Sequence, residues 1–282
     1  MKSSFTHLHV HTKYSLLDAV CHIEDLVEEA KAFGMPSVAI TDNGNMFGVI
    51  EFYSACKKAG IKPIIGAEVY VAPESRFDRA THGLQGASYP MVLLCENDLG
   101  YYNLVQLASI GFLEGFYYKP RVDKEMLRKY SKGLIALSGP LRGEIPHNLN
   151  LGQPDKATKA ALEYQEIFGK ENFYLEIIHS GLREQEKANE EMIKLSKTLN
   201  IPLIAANDVH YLKREYARPH EVITCIQSQH ILDDPKRFRL NTDEFYFKSP
   251  EEMIRSYKDT PEAIENAVNV AERCKVEFDF TK

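Results

Sequence analysis

Residues 5–12 read Phe5-Thr6-His7-Leu8-His9-Val10-His11-Thr12, three histidines at every second position of a short, apolar, β-branched run. Side chains alternate across a strand, so the imidazoles share one face while Leu8 and Val10 point the other way into a core. Imidazole is the commonest protein ligand for zinc-like metals. A His-x-His row alone admits two readings, polar residues on a half-exposed strand or the beginning of a metal site. The remainder of the chain has to discriminate between them.

Outward from that run the chain alternates short apolar stretches with amphipathic ones, the signature of parallel βα units. Strands are predicted at 5–11, Ser37–Thr41, Lys62–Ile65, Val69–Ala72, Met91–Cys95, Leu134–Ser138, Phe173–Ile178 and Pro202–Ala206. Most are apolar throughout, as strands covered on both faces should be. Helices are predicted at Ile23–Phe33, stopped by Gly34, at Phe47–Ala59, stopped by Gly60, and at Arg183–Leu199, ended before Pro202. The tail Pro250–Cys274 reads as purely helical, because Ser249 and Thr260 each place a capping hydroxyl before a proline at the first helical position. Seven or eight strands favour a barrel over an open sheet. The fold class is therefore α/β, a barrel domain over 1–270 with C-terminal helices, and 271–282 reads as the start of a linker.

The 282 residues suffice for a large core. No stretch approaches the roughly 20 apolar residues of a membrane span, and the N-terminus lacks a signal-peptide layout; a cytoplasmic protein without membrane partners is expected. Cys21, Cys56, Cys95, Cys225 and Cys274 are odd in number and scattered, which argues against a disulfide framework or a cysteine zinc site. A net charge of −6 gives no global pull on nucleic acid, so binding would need a local basic surface such as Lys119-Pro120-Arg121 or Lys236-Arg237-Phe238-Arg239.

In a parallel α/β barrel, chemistry gathers where strands end and loops begin. His9 and His11 close the first predicted strand and Asp18 follows it; Asp42 and Asn43 follow the second; Glu68 follows Ile64-Ile65-Gly66-Ala67; Asp208 and His210 follow the last. Singly, each acid can cap a turn and each imidazole can make a structural hydrogen bond. Jointly they favour a metal cluster, since repulsion and desolvation would otherwise penalise the grouping.

These residues also carry a resemblance. His7-Leu8-His9-Val10-His11-Thr12 with Tyr14-Ser15-Leu16-Leu17-Asp18, Ile40-Thr41-Asp42 with Gly44-Asn45-Met46-Phe47-Gly48, residues 62–73, residues 113–123 and Asn207-Asp208-Val209-His210-Tyr211 resemble the PHP domain, named for polymerases and histidinol phosphatase. The wording is that of the domain opening the alpha subunit of bacterial DNA polymerase III. The resemblance implies a distorted seven-stranded βα barrel with up to three divalent metals at one rim. It also implies ancestral phosphoester hydrolysis, kept in some polymerases as a 3′-to-5′ proofreading exonuclease and lost in others.

Carried over position by position, the resemblance assigns one metal to His9, His11, Glu68 and Asp208, two imidazoles and two carboxylates suited to Zn, Mn or Fe. A second metal would share Glu68 but meets Pro90 and Pro140 where ligands belong. A third would use Asp18 and His210 and meets Asn43 in place of an imidazole; His82, His147 and His179 are the histidines available to compensate. Metal-assisted phosphodiester hydrolysis relies on one ion making hydroxide while another clamps oxygens. The expectation is thus one or two metals, with the domain mainly a structural module of a replicative polymerase. The alternatives are an active exonuclease, with Asp208 and His210 catalytic, and a histidinol-phosphate-type phosphatase. The implied partners are the remainder of the polymerase alpha subunit and, through it, primer-template DNA and replisome subunits.

Overall fold

A computed structural model describes residues 5–79, 88–237 and 239–280. Seven strands, β1 (Ser37–Ile40), β2 (Lys62–Val71), β3 (Tyr89–Cys95), β4 (Arg121–Val122), β5 (Leu134–Leu137), β6 (Phe173–Ile178) and β7 (Leu203–Ala206), curl into one sheet. Their order is β1-β2-β3-β5-β6-β7, with β4 beside β2. Ten helices among the described residues surround it: α1 (Ile23–Ala32), α2 (Val49–Ala59), α3 (Asp98–Leu113), α4 (Lys124–Tyr130), α5 (Glu144–Asn150), α6 (Pro154–Phe168), α7 (Arg183–Leu199), α8 (Ala217–Ser228), α9 (Pro250–Ser256) and α10 (Pro261–Arg273). None is long and apolar enough to cross a membrane. All five cysteines are buried free thiols.

The sheet departs from the sequence expectation in four places, one of them the short, unpredicted strand β4 beside β2. β3 runs antiparallel to both β2 and β5, so the barrel is mixed rather than wholly parallel. β2 returns directly into β3 without a helical crossover among the described residues, and a parallel pairing needs such a crossover. The two stretches predicted at 62–65 and 69–72 are one ten-residue strand. Gly66 interrupts the apolar pattern but not the strand: a Cβ there would lie 2.5 Å from the carbonyl oxygen of Leu93, so glycine permits the close approach of β3.

Residues 5–11, the predicted first strand, form no regular ladder. The segment nevertheless fills the gap between β1 and β7: the amides of Ala39 and Thr41 bond the carbonyls of His7 and Val10, while His11 and Val209 exchange bonds with Val209 and His9. Its amide at Val10 is taken by the Thr41 hydroxyl at 2.8 Å, a side chain standing where a ladder would have a carbonyl. This seam closes the barrel. At the tail, Ser249 and Glu252 form the expected capping box, whereas Thr260 caps α10 without a side-chain bond. Residues 277–280 fold back onto the barrel, with Phe278 against the rings of Tyr53 and Tyr101.

Candidate metal centre

His9 and His11 enter the site from the seam, Asp208 from the turn after β7, and Glu68 from the middle of β2, where its backbone bonds Asp42 and Gly44 beyond the end of β1. His9 Nε2 lies 3.1 Å from His11 Nε2 and 3.4 Å from Asp208 Oδ1. Asp208 Oδ1 is 3.0 Å from His11 Nε2 and 3.2 Å from His210 Nε2. Glu68 Oε2 flanks the trio, 3.3 Å from His9 Nε2. Donors about 2.1 Å from one tetrahedral ion stand about 3.4 Å apart, so His9, His11 and Asp208 are spaced as ligands of a common ion.

The shell behind them supports that reading. Glu176 on β6, fully buried, takes the Nδ1 proton of His9 at 2.7 Å and so turns the Nε2 lone pair toward the centre. Its other carboxylate oxygen, buried, has no hydrogen-bond partner. Burial opposes charge on His9, yet Glu176 and Asp208 outweigh it and raise its pKa well above the usual range. Burial likewise pushes Asp208 up, but the imidazoles of His9 and His210 hold its carboxyl well below the ordinary value. Asp208 has φ 49, and Leu17 and Tyr118, which precede Asp18 and Lys119, have φ 60. The other left-handed non-glycine residues among those described, Asn200 and Gln229, are ordinary helix caps. Strain among side-chained residues thus gathers at this rim.

A second cluster adjoins the first through His210. Asp18, His210 and His220 offer donor atoms to a common point. The Asp18 carbonyl accepts from both His210 Nδ1 and His220 Nε2 at 2.8 Å, and the Asp18 carboxylate lies 4.0 Å from His210. Burial opposes charge on His210, yet Asp208 and Asp18 push its pKa up to about 9; burial and the neighbouring His210 push His220 down to about 4.

Other candidates divide. Asn43 Nδ2 donates to the Asp18 carboxylate, which orients that acid. Asp42 accepts from the Thr12 amide and from the hydroxyls of Thr12 and Ser15, so it pins the loop after the seam and is no ligand. His7 bonds the Lys248 carbonyl at 2.8 Å, away from the centre. Pro90 faces Tyr70 across β2 and β3, two register pairs from Glu68 and Val92 with the pair Val69–Met91 between, and the turn bearing Pro140 presses Gly139 against the Pro90 carbonyl. His147 stands beside Tyr89 and His179 bonds Glu186, so neither joins the clusters; His82 lies outside the described residues. Arg121 is buried among the carbonyls of Gly115, Arg76 and Asp78, and Arg237 against Leu232 and Glu221, so neither of these arginines is presented as a nucleic-acid surface. Sequence reasoning missed Glu176 and His220.

The fold is a mixed α/β barrel whose rim brings two imidazoles and a carboxylate to a spacing that could hold a metal ion. The chain belongs to the PHP domain family, whose model matches residues 7–180. It is 46% identical over 273 residues to the DNA polymerase III subunit alpha of Borreliella burgdorferi, covering 97% of this chain and 24% of the relative. Against that of Thermus aquaticus it is 45% identical over 283 residues, covering 98% and 23%. The chain thus spans about a quarter of the length of these relatives. A solved structure described as an amidohydrolase from Chromobacterium violaceum matches with a TM-score of 0.46 at 15% identity, covering 73% of this chain and 87% of that one.

Proposed function

We propose that this chain is the N-terminal metal-binding module of a bacterial replicative polymerase, and that its ion acts as a clip on the barrel seam. The observation that carries the reading is the origin of the trio: His9 and His11 come from the segment that closes the barrel without a ladder, and Asp208 from the strand end facing it. An ion that binds only the folded state stabilises it by mass action. His9, His11 and Asp208 would hold it, with Glu68 completing the shell, and Zn, Mn or Fe suits such a donor set. The Asp18–His210–His220 cluster supplies a weaker second position. When bound, an ion of this kind polarises phosphoryl oxygens and acidifies water.

The remainder of a polymerase alpha subunit is then the immediate partner, with primer-template DNA and replisome subunits reached through it in the cytoplasm. Elemental analysis of protein purified without chelators should give one to two ions per chain, and chelation should lower the melting temperature. A metal-free chain whose melting ignores chelators overturns the reading. The second reading, a 3′-to-5′ exonuclease with Asp208 and His210 at the reacting phosphate, is favoured by the adjacency of the two clusters through Asp208. Loss of nucleotides from a DNA 3′ end, abolished by Asp208→Asn, separates it from a purely structural role. Phosphate release from small monoesters without such DNA activity points to a phosphatase instead.

A further inference from the structure

Glu176 sets the orientation of His9, but the other imidazole of the trio is backed differently. Behind the Nδ1 of His11 stands a neutral hydroxyl, Ser15 Oγ, at 3.4 Å. Both residues are buried, as is Asp42 on the far side of the serine. Ser15 is carried there by the turn that follows the seam: its amide donates to the Thr12 carbonyl at 2.8 Å, and its carbonyl accepts from the amides of Asp18 and Ala19 at 3.0 and 3.1 Å. The same turn delivers Asp18 to the second cluster.

A hydroxyl has one proton to give and two lone pairs with which to accept. The proton of Ser15 goes to Asp42 Oδ1, 2.6 Å away, the length of a charge-assisted bond. Asp42 itself is only an acceptor here, since the Thr12 amide and hydroxyl also donate to it, at 2.6 and 2.7 Å. One lone pair of Ser15 is taken by the Asn43 amide at 3.1 Å. The lone pair that remains faces His11 Nδ1 and can only accept. The count therefore closes in one way, with the imidazole proton on Nδ1 and the Nε2 lone pair turned toward His9 and Asp208.

That outcome is not what His11 would adopt unaided. Its Nε2 lies 3.0 Å from Asp208 Oδ1, so a proton placed on Nε2 would have a carboxylate to bond, a stronger acceptor than a hydroxyl at 3.4 Å. A proton there would occupy the nitrogen that has to face an ion. To allow it, Ser15 would have to turn its own proton away from Asp42 and exchange a charged partner for a neutral one. We propose that Ser15 is the positioning residue of His11: by giving its proton to Asp42 it keeps a lone pair for Nδ1 and holds the imidazole in the tautomer that can accept a metal. The role deepens the metal reading above and rests on it. The two imidazoles are then set by two carboxylates, His9 by Glu176 directly and His11 by Asp42 through a hydroxyl.

The test reads the tautomer without metal. In the chelated, ¹⁵N-histidine-labelled chain, at a pH above the ordinary imidazole range, long-range proton–nitrogen correlation spectra distinguish a protonated Nδ1 from a protonated Nε2, with His11→Gln assigning the signals. The parent should show His11 protonated on Nδ1, and Ser15→Ala should move the proton to Nε2. Zn²⁺ binding, followed by competition with a chromophoric chelator, should weaken about tenfold in Ser15→Ala, the lower end of the range for a lost supporting partner because this one is neutral. Thr12→Val is the control for simple loosening of the loop, since it removes another bond to Asp42 without touching His11 Nδ1; it should lower the melting temperature and leave both the tautomer and the Zn²⁺ affinity as in the parent. A parent protonated on Nε2 overturns the proposal before any variant is made. So does a Ser15→Ala chain with the parent's tautomer, or a Thr12→Val chain that shifts the tautomer as far as Ser15→Ala does. Failure of the metal reading appears separately, as a parent that binds no metal, and removes the role assigned to Ser15 whatever its tautomer.

Discussion

Replacing Glu176 by glutamine removes a charge from behind the metal centre while keeping its shape. The carboxylate accepts the Nδ1 proton of His9 at 2.7 Å, and its second oxygen is buried without a partner. Glutamine keeps an acceptor, but it can also present its NH2 group to Nδ1, which moves the imidazole proton onto Nε2 and removes a ligand. Loss of such a supporting partner weakens metal binding about 10- to 100-fold. With metal at about 100 times the parent's dissociation constant, mass action stabilises the parent by about 2.7 kcal/mol. A 30-fold weaker variant retains about 0.9 kcal/mol under the same conditions. The difference of about 1.8 kcal/mol corresponds to roughly 4–7 °C for a domain of this size. The readout is the rise in melting temperature between chelated and metal-loaded samples of each protein, with the dissociation constant measured by competition against a chromophoric chelator. Using the rise within each protein cancels the effect of the substitution on the metal-free fold, which breaks the buried Glu176–His9 pair. A Glu176→Gln variant whose rise and dissociation constant match the parent's refutes the assignment of Glu176 as the residue that orients His9.

Asp208→Asn removes the charge shared by His9, His11 and His210, and elemental analysis should show less than half the parent's metal. Gly66→Ala drives a Cβ to 2.5 Å from the Leu93 carbonyl oxygen, and urea unfolding should report a loss of about 2–3 kcal/mol; a neutral result would mean β2 and β3 can separate there. The Tyr257 hydroxyl lies 2.6 Å from the Ile177 carbonyl and 2.7 Å from that of Ala206, tying β6 to β7. Tyr257→Phe should cost about 1–3 kcal/mol, read by the same assay. Burial pushes His7 down to about 4, so the unfolded chain takes up this proton at a pH where the folded chain refuses it. Stability is then lost as pH falls from 6.5 toward 4, by about 3 kcal/mol in all, with no contribution above 6.5. Under chelation, the parent's unfolding free energy should fall more steeply than that of His7→Gln across that window, and parallel curves would contradict the burial argument.

Where local chemistry decides an element, the chain could be read directly. Helix α7 runs from Arg183 to Leu199 as predicted, because an amphipathic period is closed by Asn200 in the left-handed region and Pro202 soon after. The apolar strands β5, β6 and β7 were legible for the same reason, since burial on both faces leaves little choice of residue. Residues 5–11 have the alternation of a strand without its ladder, because Thr41 offers a side-chain oxygen to Val10 and no sequence pattern records which acceptor an amide will find. Gly66 read as a break because the approach of β3 that requires it comes from residues some 25 positions away. The metal trio was visible as His-x-His and Asp-x-His. Glu176 had a signal that could have been used: it is the one charged residue in Phe173-Tyr174-Leu175-Glu176-Ile177-Ile178, and a buried carboxylate needs a partner. His220 had none, since a lone histidine on a helix is ordinary.

The prolines at the rim are best understood from the backbone they hold. A Cβ at Gly139 would lie 2.2 Å from the Pro90 carbonyl oxygen and one at Gly143 3.3 Å from it, so the turn through Pro140 sits directly on β3 at Pro90. Gly139 has φ 85, the left-handed region that a side-chained residue adopts only at a cost. That corner of the rim is therefore built for close backbone packing, and neither proline side chain carries a donor atom. The ion proposed for the seam then depends on His9, His11 and Asp208, with Glu68 beside them, and the corner at Pro90 and Pro140 contributes packing in place of a ligand.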